Sequence, residues 1–213
     1  MKKHKYILLL ATISVLMFSA CTDDYEKFPV DQFTNDYFFS KTDSMGVQVR
    51  QFLNSIYDFL PSGHNEHGGD YLDTATDDAL SIKQDDPDVY KLLVGRYSAN
   101  TRIRPAMEWN RYYEGIRQVN VLIDSIEVVP IILTFKNIDG EEKALNYTIK
   151  AEARFLRTLF YFELVKRYGG VPLIQDRIFK LNDDLELPRN SFEECIDYMV
   201  SELDDIKMDL RSV

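Results

Sequence analysis

Residues 151–174 read AEARFLRTLFYFELVKRYGGVPLI, and this stretch decides the fold of the 213-residue chain. Apolar residues recur in it at steps of three and four, in two adjacent stripes that merge into one wide apolar face. The pattern predicts a helix from about Ile149 to Tyr168. Gly169 and Gly170 are expected to supply a left-handed C-terminal cap, and Pro172 blocks any continuation of the helix.

The same helical spacing occurs in three other windows and predicts a mostly α fold. These helices run from about Ser44 to Leu60, from about Arg104 to Ile126, and onward from Ser191. The last one starts with SFEE, which fits a capping box in which the serine and glutamate side chains bond to otherwise unpaired backbone N–H groups. Cys195 lies on the apolar face of that helix, where a free thiol usually acts as a small hydrophobic side chain.

A different pattern separates the second predicted helix from the third. Residues 128–135 read VVPIILTF, and the turn pair Asp139-Gly140 follows. Residues 144–148 are expected to return as a partner strand, which makes a small β-hairpin insertion near 128–148. Helices of this length with short connectors are typical of hairpins stacked as in tetratricopeptide (TPR) arrays, although no 34-residue repeat is present.

The N-terminus is predicted to be a lipoprotein signal peptide, residues 1–20. A basic start precedes an uncharged apolar run that is shorter than the roughly 20 residues a membrane-spanning helix needs. The run ends in FSAC, which resembles a lipobox and predicts a lipid on Cys21; ordinary cleavage beside an incidental cysteine is the alternative. We therefore expect a lipidated tether over residues 21–43 and a helical region over residues 44–213.

The charge balance argues against nucleic acid as a partner. The formal charge of the chain is −10, and because residues 1–20 hold three lysines and no acid, the remainder carries 22 bases against 35 acids, or −13. A surface of this sign repels phosphate backbones and anionic lipid headgroups. With only two cysteines, one of them expected to be lipidated, a disulfide framework is also excluded.

Several motifs together resemble the SusD/RagB family of outer-membrane lipoproteins. The strongest is AEARFLRT at 151–158 followed by the aromatic run and YGGVPL at 168–173. WNRYYEGIRQVNVLI at 109–123 resembles a second family signature, W-x-x-x-Y-x-x-I-x-x-x-N. TDD at 76–78 and LPR at 187–189 resemble shorter family elements. The acidic TDD after Cys21 resembles the surface-export signal of Bacteroidetes lipoproteins.

The resemblance implies a TPR-like helical scaffold on the cell exterior, anchored in the outer membrane by its lipid. It implies capture of an oligosaccharide or polysaccharide, or of a peptide, for a SusC-like TonB-dependent transporter, without chemistry on the ligand and without a cofactor. Family members are much longer, so we expect the C-terminal part of the family fold to be missing. A structural TPR-like adaptor, or less plausibly an accessory to a glycan-degrading enzyme, is the alternative.

The candidate ligand site is GHNEHGGDYLD at 63–73, a stretch rich in side chains that can form hydrogen bonds. Its imidazole, amide and carboxylate groups can hydrogen-bond sugar hydroxyls, and tyrosines can stack on sugar rings. The candidate ligand-binding residues are His64, Asn65, His67, Asp70, Tyr71 and Tyr90. A metal site of His64, Glu66, His67 and Asp70 is the weaker alternative, because no zinc-enzyme spacing is present. The resemblance implies aromatic residues just after the TDD element in starch-binding relatives. Here that stretch, LSIKQ at 80–84, has none, which argues against starch-like recognition there.

The residues of the strongest motif are otherwise interpreted as scaffold. Phe155, Leu156, Leu159 and Phe162 are expected to fill a helix interface. Arg154 and Arg157 are expected to reach carboxylates or helix C-termini, and Glu163 and Arg167 to form an i,i+4 pair. Trp109 could be a platform for stacking a sugar ring, but its helical register favours the core.

Overall fold

The computed structural model describes residues 34–61, 71–80, 87–96, 98 and 105–211, and most of them are helical. The helices are α1 (Asn35–Phe38), α2 (Val47–Tyr57), α3 (Pro87–Leu93), α4 (Pro105–Ser125), α5 (Leu145–Tyr168) and α6 (Phe192–Ile206). Two strands, β1 (Thr134–Lys136) and β2 (Glu142–Ala144), pair between α4 and α5, and short 3₁₀ segments occur at Leu72–Ala75, Ile126–Val128 and Lys207–Asp209. The mostly α prediction is confirmed, as is the small hairpin.

Helix α5 is the centre of the fold, because α4 and α6 pack along it and α2 packs on α4 and α5. The close approach of α4 to α5 depends on Gly115, where an added Cβ would lie 2.8 Å from the ring of Phe160. The buried apolar side chains at this crossing include Tyr112, Ile116, Leu156 and Phe160. A larger residue at 115 would force the two helices apart.

Helix α2 begins later than its apolar pattern predicts, at Val47 instead of Ser44. The buried carboxylate of Asp43 accepts hydrogen bonds from the backbone N–H groups of Val47, Gln48 and Val49 at 2.8, 2.8 and 3.3 Å. These bonds satisfy the unpaired donors of the first turn, and the negative charge suits the positive end of the helix dipole. The start of the helix is therefore determined by a cap and not by hydrophobic spacing.

Helix α5 begins earlier than predicted, so the expected return strand over 144–148 is largely wrong. Only Glu142–Ala144 pairs with Thr134–Lys136, in antiparallel register. Leu145, Thr148 and Ile149 are all buried, and their spacing of three and four places them on one face of a helix. Burial on a helical face therefore outweighs the alternating pattern that a strand would need.

The hairpin is tied to the 3₁₀ turn that follows α6. The buried amide of Asn137 donates to the carbonyl of Met208 over 3.2 Å, and its Oδ1 accepts the N–H of Glu141 over 2.8 Å. Asn137 also forms an isolated bridge with Arg211. One side chain thus closes the turn of the hairpin and holds it against the end of α6.

The connection between α5 and α6 requires its two glycines, for different reasons. Gly169 has φ 70° and ψ −138°, a positive φ as predicted but outside the left-handed helical region, and its N–H bonds to the carbonyl of Val165. At Gly170 an added Cβ would lie 2.1 Å from the carbonyl oxygen of Asn190. The first glycine is needed for its backbone angles and the second for the space it leaves.

Helix α6 begins with the predicted capping box. The N–H of Glu194 donates to the Ser191 hydroxyl over 3.1 Å, and the N–H of Ser191 donates to the Glu194 carboxylate over 2.7 Å. These bonds hold the pKa of Glu194 below its usual value. Cys195 is buried and free, with its sulfur 3.6 Å from the carbonyl oxygen of Val171, as expected for a structural thiol.

The prediction that Phe155, Leu156, Leu159 and Phe162 fill a helix interface is only half right. Leu156 is buried, but Phe155 and Phe162 are 43% and 50% exposed. Helices α4 and α6 cover only part of the circumference of α5, so the second apolar stripe remains at the surface. Phe155, Thr158, Leu159 and Phe162 line an apolar furrow of about 280 Å³ with Ile196, Met199, Val200 and Leu203 of α6. Among the described residues, no helix is long and apolar enough to span a membrane.

Candidate ligand-binding groove

A groove of about 630 Å³ lies between α4 and the chain segment that follows α5. This volume falls in the range of small-molecule binding sites. Its wall contains three aromatic residues, Trp109, Tyr113 and Phe179, and three cations, Arg117, Arg177 and Lys180. The remaining lining residues are aliphatic: Pro172, Ile174, Leu181, Leu185 and Leu187. We call this site the aromatic groove.

The aromatic wall starts at Trp109, which is half-buried. Its ring lies 5.0 Å from the ring of Tyr113 and meets Tyr168 edge-on at 5.1 Å, while the guanidinium of Arg189 sits 5.6 Å above it. Trp109 therefore packs against the core, as its register predicts, and also lines the groove. The two interpretations of this residue are compatible, because one edge of a large ring can be buried while the rest faces a ligand.

Tyr113 joins the helix to the far side of the groove. Its hydroxyl donates to the carbonyl of Pro172 over 2.7 Å. Burial is the main cause that raises the pKa of Tyr113 well above its usual value, so the phenol stays protonated and keeps donating. The hydrogen bond holds the start of the segment after α5 against α4.

Three further polar side chains, Asn120, Arg157 and Tyr161, hold the next residues of that segment; we call them the polar clamp. Asn120 Nδ2 donates to the carbonyls of Gln175 and Arg177 over 2.7 and 2.9 Å. The hydroxyl of Tyr161 accepts the N–H of Ile174 over 3.0 Å, and burial raises the pKa of Tyr161 to about 12. The clamp thereby determines where the backbone of Arg177 lies.

The clamp also stabilises an unfavourable backbone conformation. Gln175 has φ 49°, in the left-handed region that residues with a Cβ rarely adopt. Its carbonyl accepts from Asn120 and, over 3.2 Å, from Arg157 Nη1. Two donors on one carbonyl compensate for conformational strain of the order of 1–3 kcal/mol.

Arg157 is the centre of a buried charge network. Its side chain is 1% exposed, and it donates to Asn120 over 2.8 Å, to Asp176 over 2.6 Å and to Glu202 over 2.7 Å. Arg154 contacts Glu202 over 2.8 Å. Burial disfavours the charge of Glu202, but the bonds from both arginines outweigh it and hold its pKa below the usual value. The prediction that the two arginines reach carboxylates is confirmed.

Glu163 and Arg167 form the predicted i,i+4 ion pair, but Glu163 is buried and also contacts Lys166. Burial disfavours ionisation of Glu163, and the bonds from Lys166 and Arg167 outweigh this and lower its pKa. The pair is thus part of the core rather than a solvated surface contact.

The predicted ligand residues lie elsewhere or cannot be placed. Outside the described residues lie His64, Asn65, His67, Asp70, the predicted lipidation site Cys21, and Glu66 of the alternative metal site. Tyr71 is 50% exposed, next to the 3₁₀ segment Leu72–Ala75, and Tyr90 is 44% exposed on α3, which packs on that segment. The structure thus brings α3 and the 3₁₀ segment together, and neither tyrosine lines the aromatic groove.

Only some of the residues that line the groove can be predicted from the sequence. The W-x-x-x-Y signature contains Trp109 and Tyr113, but nothing in the sequence singled out Arg117, Arg177, Phe179 or Lys180. Three of these four lie in a stretch without helical or alternating periodicity, so no pattern places them on a common face. Within the described ranges, no three His, Cys, Asp or Glu side chains are grouped so that they could hold a metal ion.

The fold and the groove define a helical protein with a ligand-sized site on its central helices, and comparison with known proteins identifies its family. The family model of SusD-like proteins described as "Starch-binding associating with outer membrane" matches residues 33–209. The chain therefore belongs to the SusD-like family, as its motifs indicated.

Individual relatives agree with this assignment. A SusD-like protein of Formosa agariphila is 23% identical over the whole chain, which spans 39% of that protein. The crystal structure of a SusD-like protein from Bacteroides fragilis superposes with a TM-score of 0.61 at 27% identity, over 85% of this chain and 32% of the other. The chain thus spans well under half the length of these relatives.

Proposed function

We propose that this chain binds glycans at the outer membrane and delivers them to a SusC-like TonB-dependent transporter. The observation that carries the proposal is the aromatic groove on a SusD-like scaffold, whose family is described as starch-binding and associated with the outer membrane. Aromatic faces stack on sugar rings, and polar groups beside them fix the hydroxyls. The chain binds its ligand and performs no chemistry on it.

The proposal includes a lipid on Cys21 that anchors the chain on the cell exterior. The motif FSAC supports it, and each buried CH₂ of an acyl chain contributes about 0.8 kcal/mol, so two or more chains hold a protein firmly. We expect the wild-type chain to fractionate with the outer membrane and to be cleaved by protease added to intact cells. Release of Cys21→Ser into the soluble fraction is expected; membrane retention of that variant would contradict the anchor.

The transporter is tested by purification of the tagged full chain from detergent-solubilised outer membranes. We expect a TonB-dependent transporter to co-purify in near-stoichiometric amount and to be absent when an unrelated outer-membrane lipoprotein is the bait. If no such transporter co-purifies in repeated experiments, the proposed delivery to a transporter is wrong. Glycan binding is tested separately.

Glycan binding is tested at Phe179, because Trp109 also packs against the core and its replacement would destabilise the fold. We expect Phe179→Ser to weaken retardation of the full chain in gels that contain the bound polysaccharide. The matched control is Tyr147→Ser, which removes an exposed aromatic ring of α5 that does not line the groove. Equal retardation of both variants and the wild type would exclude the groove as the site.

We also propose that His64, Asn65, His67, Asp70, Tyr71 and Tyr90 form a second contact for long glycans. Support comes from the exposure of Tyr71 and Tyr90 on neighbouring elements. The double variant Tyr71→Ser/Tyr90→Ser should weaken binding of a polysaccharide more than binding of a disaccharide. An unchanged affinity for both would remove these residues from the site.

A further inference from the structure

The lining of the aromatic groove is positively charged, although the chain as a whole is acidic. Its described lining contains Arg117, Arg177 and Lys180 but no aspartate or glutamate, on a chain with ten more acids than bases. From this concentration of positive charge we infer that the groove takes an anionic saccharide, one that carries carboxylate or sulfate groups. The inference rests on the proposed glycan-binding function and specifies the class of ligand.

Among the residues that the structure describes, none of the three cations forms an ion pair. All three side chains are exposed, and within the described part of the chain none lies within 4.0 Å of a carboxylate. Other basic residues, such as Arg154 and Arg157, are paired. Cations that are not neutralised within the fold are available for an anionic ligand.

The neighbouring acids of the same segment are engaged in other contacts. Asp176 pairs with Arg157 over 2.6 Å. Asp183 accepts the backbone N–H of Lys180 over 3.0 Å, and Asp184 accepts that of Glu186 over 2.8 Å. These bonds orient the Asp183 and Asp184 carboxylates toward backbone turns, and none of the three aspartates forms an ion pair with a cation of the groove.

The positions of the cations suit a ring that carries an anionic group. The guanidinium of Arg177 lies 4.4 Å above the ring of Phe179, which keeps its planar donors beside an aromatic face. A guanidinium can bind a carboxylate or sulfate through two parallel hydrogen bonds, and such charge-assisted bonds are stronger than neutral ones. A neutral sugar would use the aromatic faces but gain little from three cations.

Side chains of two helices hold the backbone at and next to Arg177. Asn120 holds its backbone carbonyl, and Arg157 holds the adjacent residues Gln175 and Asp176. Because Arg157 is buried and anchored to α6 through Glu202, the segment is supported from two helices. The backbone that carries Arg177 is therefore preorganised, which reduces the cost of ordering this part of the groove on binding.

The test uses the full chain, purified in detergent, and saccharides in matched charged and neutral pairs. The probes are oligogalacturonate and its carboxyl-reduced form, and a sulfated galactan oligosaccharide and its desulfated form, measured by calorimetry. We expect at least one charged member to bind about tenfold or more tightly than its neutral partner, with an affinity that falls as salt is raised. The pair that shows the difference distinguishes carboxylate from sulfate.

The variants place the effect in the groove. The triple variant Arg117→Gln/Arg177→Gln/Lys180→Gln should lose about tenfold or more in affinity for the charged ligand while its melting temperature stays near wild type. Lys136→Gln removes one charge from the exposed face of β1 and should change nothing. Equal affinity for charged and neutral partners overturns the inference but leaves glycan binding intact. Binding of an acidic peptide in place of any saccharide overturns both.

Discussion

Arg157 and Asn120 meet inside the fold, where the guanidinium Nη1 donates to the amide Oδ1 over 2.8 Å. Both side chains also donate to the carbonyl of Gln175. The two residues belong to the two separate signature stretches at 109–123 and 151–174, which therefore meet at one point of the structure. There the two side chains bond to the backbone of the segment that forms one wall of the aromatic groove. Residues that identify the family therefore also shape the candidate binding site.

Replacement of Asn120 should loosen this wall. Asn120→Leu removes two hydrogen bonds to the backbone of Gln175 and Arg177 and one from the buried Arg157, whose Nη1 keeps its bonds to Gln175 and Asp176. We expect a loss of about 2–3 kcal/mol in the free energy of unfolding, measured by urea denaturation, and weaker ligand binding. The exposed Asn54→Leu on α2 is the control. Equal stability of the two variants would mean that the clamp contributes nothing.

The loss of stability at acid pH, measured as the free energy of unfolding against pH, should depend on Glu202 and Glu163. Both carboxyls have a pKa below the usual value of about 4.5 in the folded chain, because hydrogen bonds from arginine and lysine outweigh burial. A group with a lowered folded pKa stabilises the fold above its unfolded pKa, and that stabilisation is lost as the pH falls through the folded value. Unfolding should therefore become easier below about pH 4.5.

Glu202→Gln tests this pH dependence directly. The variant should be less stable at pH 7, because Arg157 stays buried with one charged partner fewer, and its stability should change less between pH 5 and the acid limit. Glu193→Gln, in the exposed first turn of α6, is the matched control. If wild type and Glu202→Gln lose stability in parallel on acidification, other carboxyls control the loss of stability at acid pH.

The helices could be predicted because their apolar faces are long and periodic, whereas the groove could not. Arg154 and Arg157 were expected to reach carboxylates, since charged side chains on a buried helix require partners. The sequence does not predict the start of α5 at Leu145, because residues 144–148 follow an apolar β-branched run and the turn pair Asp139-Gly140, an order that indicates a return strand. The cations of the groove cannot be predicted for a different reason. The backbone of Arg177 is held by Asn120 of α4, and a contact over such a sequence distance leaves no local periodicity. Lys180 lies in the same stretch without helical or alternating spacing.

The turn after α5 should tolerate no side chain at Gly170. An added Cβ would lie 2.1 Å from the carbonyl oxygen of Asn190, a backbone atom that cannot rotate away. We expect Gly170→Ala to lower the free energy of unfolding by about 2 kcal/mol or more, read from chemical denaturation. Gly140→Ala is the control, because Gly140 has φ 81° with open space around it and should cost only about 1 kcal/mol. A milder effect at Gly170 than at Gly140 would show that the turn can relax.

The apolar furrow between α5 and α6 should make the isolated chain self-associate. Phe162 is half exposed beside Phe155, and across the furrow Val200 and Leu203 of α6 are exposed as well. Contiguous apolar surface of this kind promotes association. We expect Phe162→Gln to shift the chain toward monomer in analytical ultracentrifugation while its free energy of unfolding changes by less than about 1 kcal/mol.

The control for the furrow is Tyr147→Gln, which removes an exposed ring from the same helix outside the furrow. It should leave the distribution of species unchanged. If both variants reduce association equally, general surface hydrophobicity is responsible and the furrow has no special role. If Phe162→Gln unfolds the chain, the ring contributes more to α5 than its exposure implies, and Val200→Gln on the opposite wall then decides whether the furrow drives association.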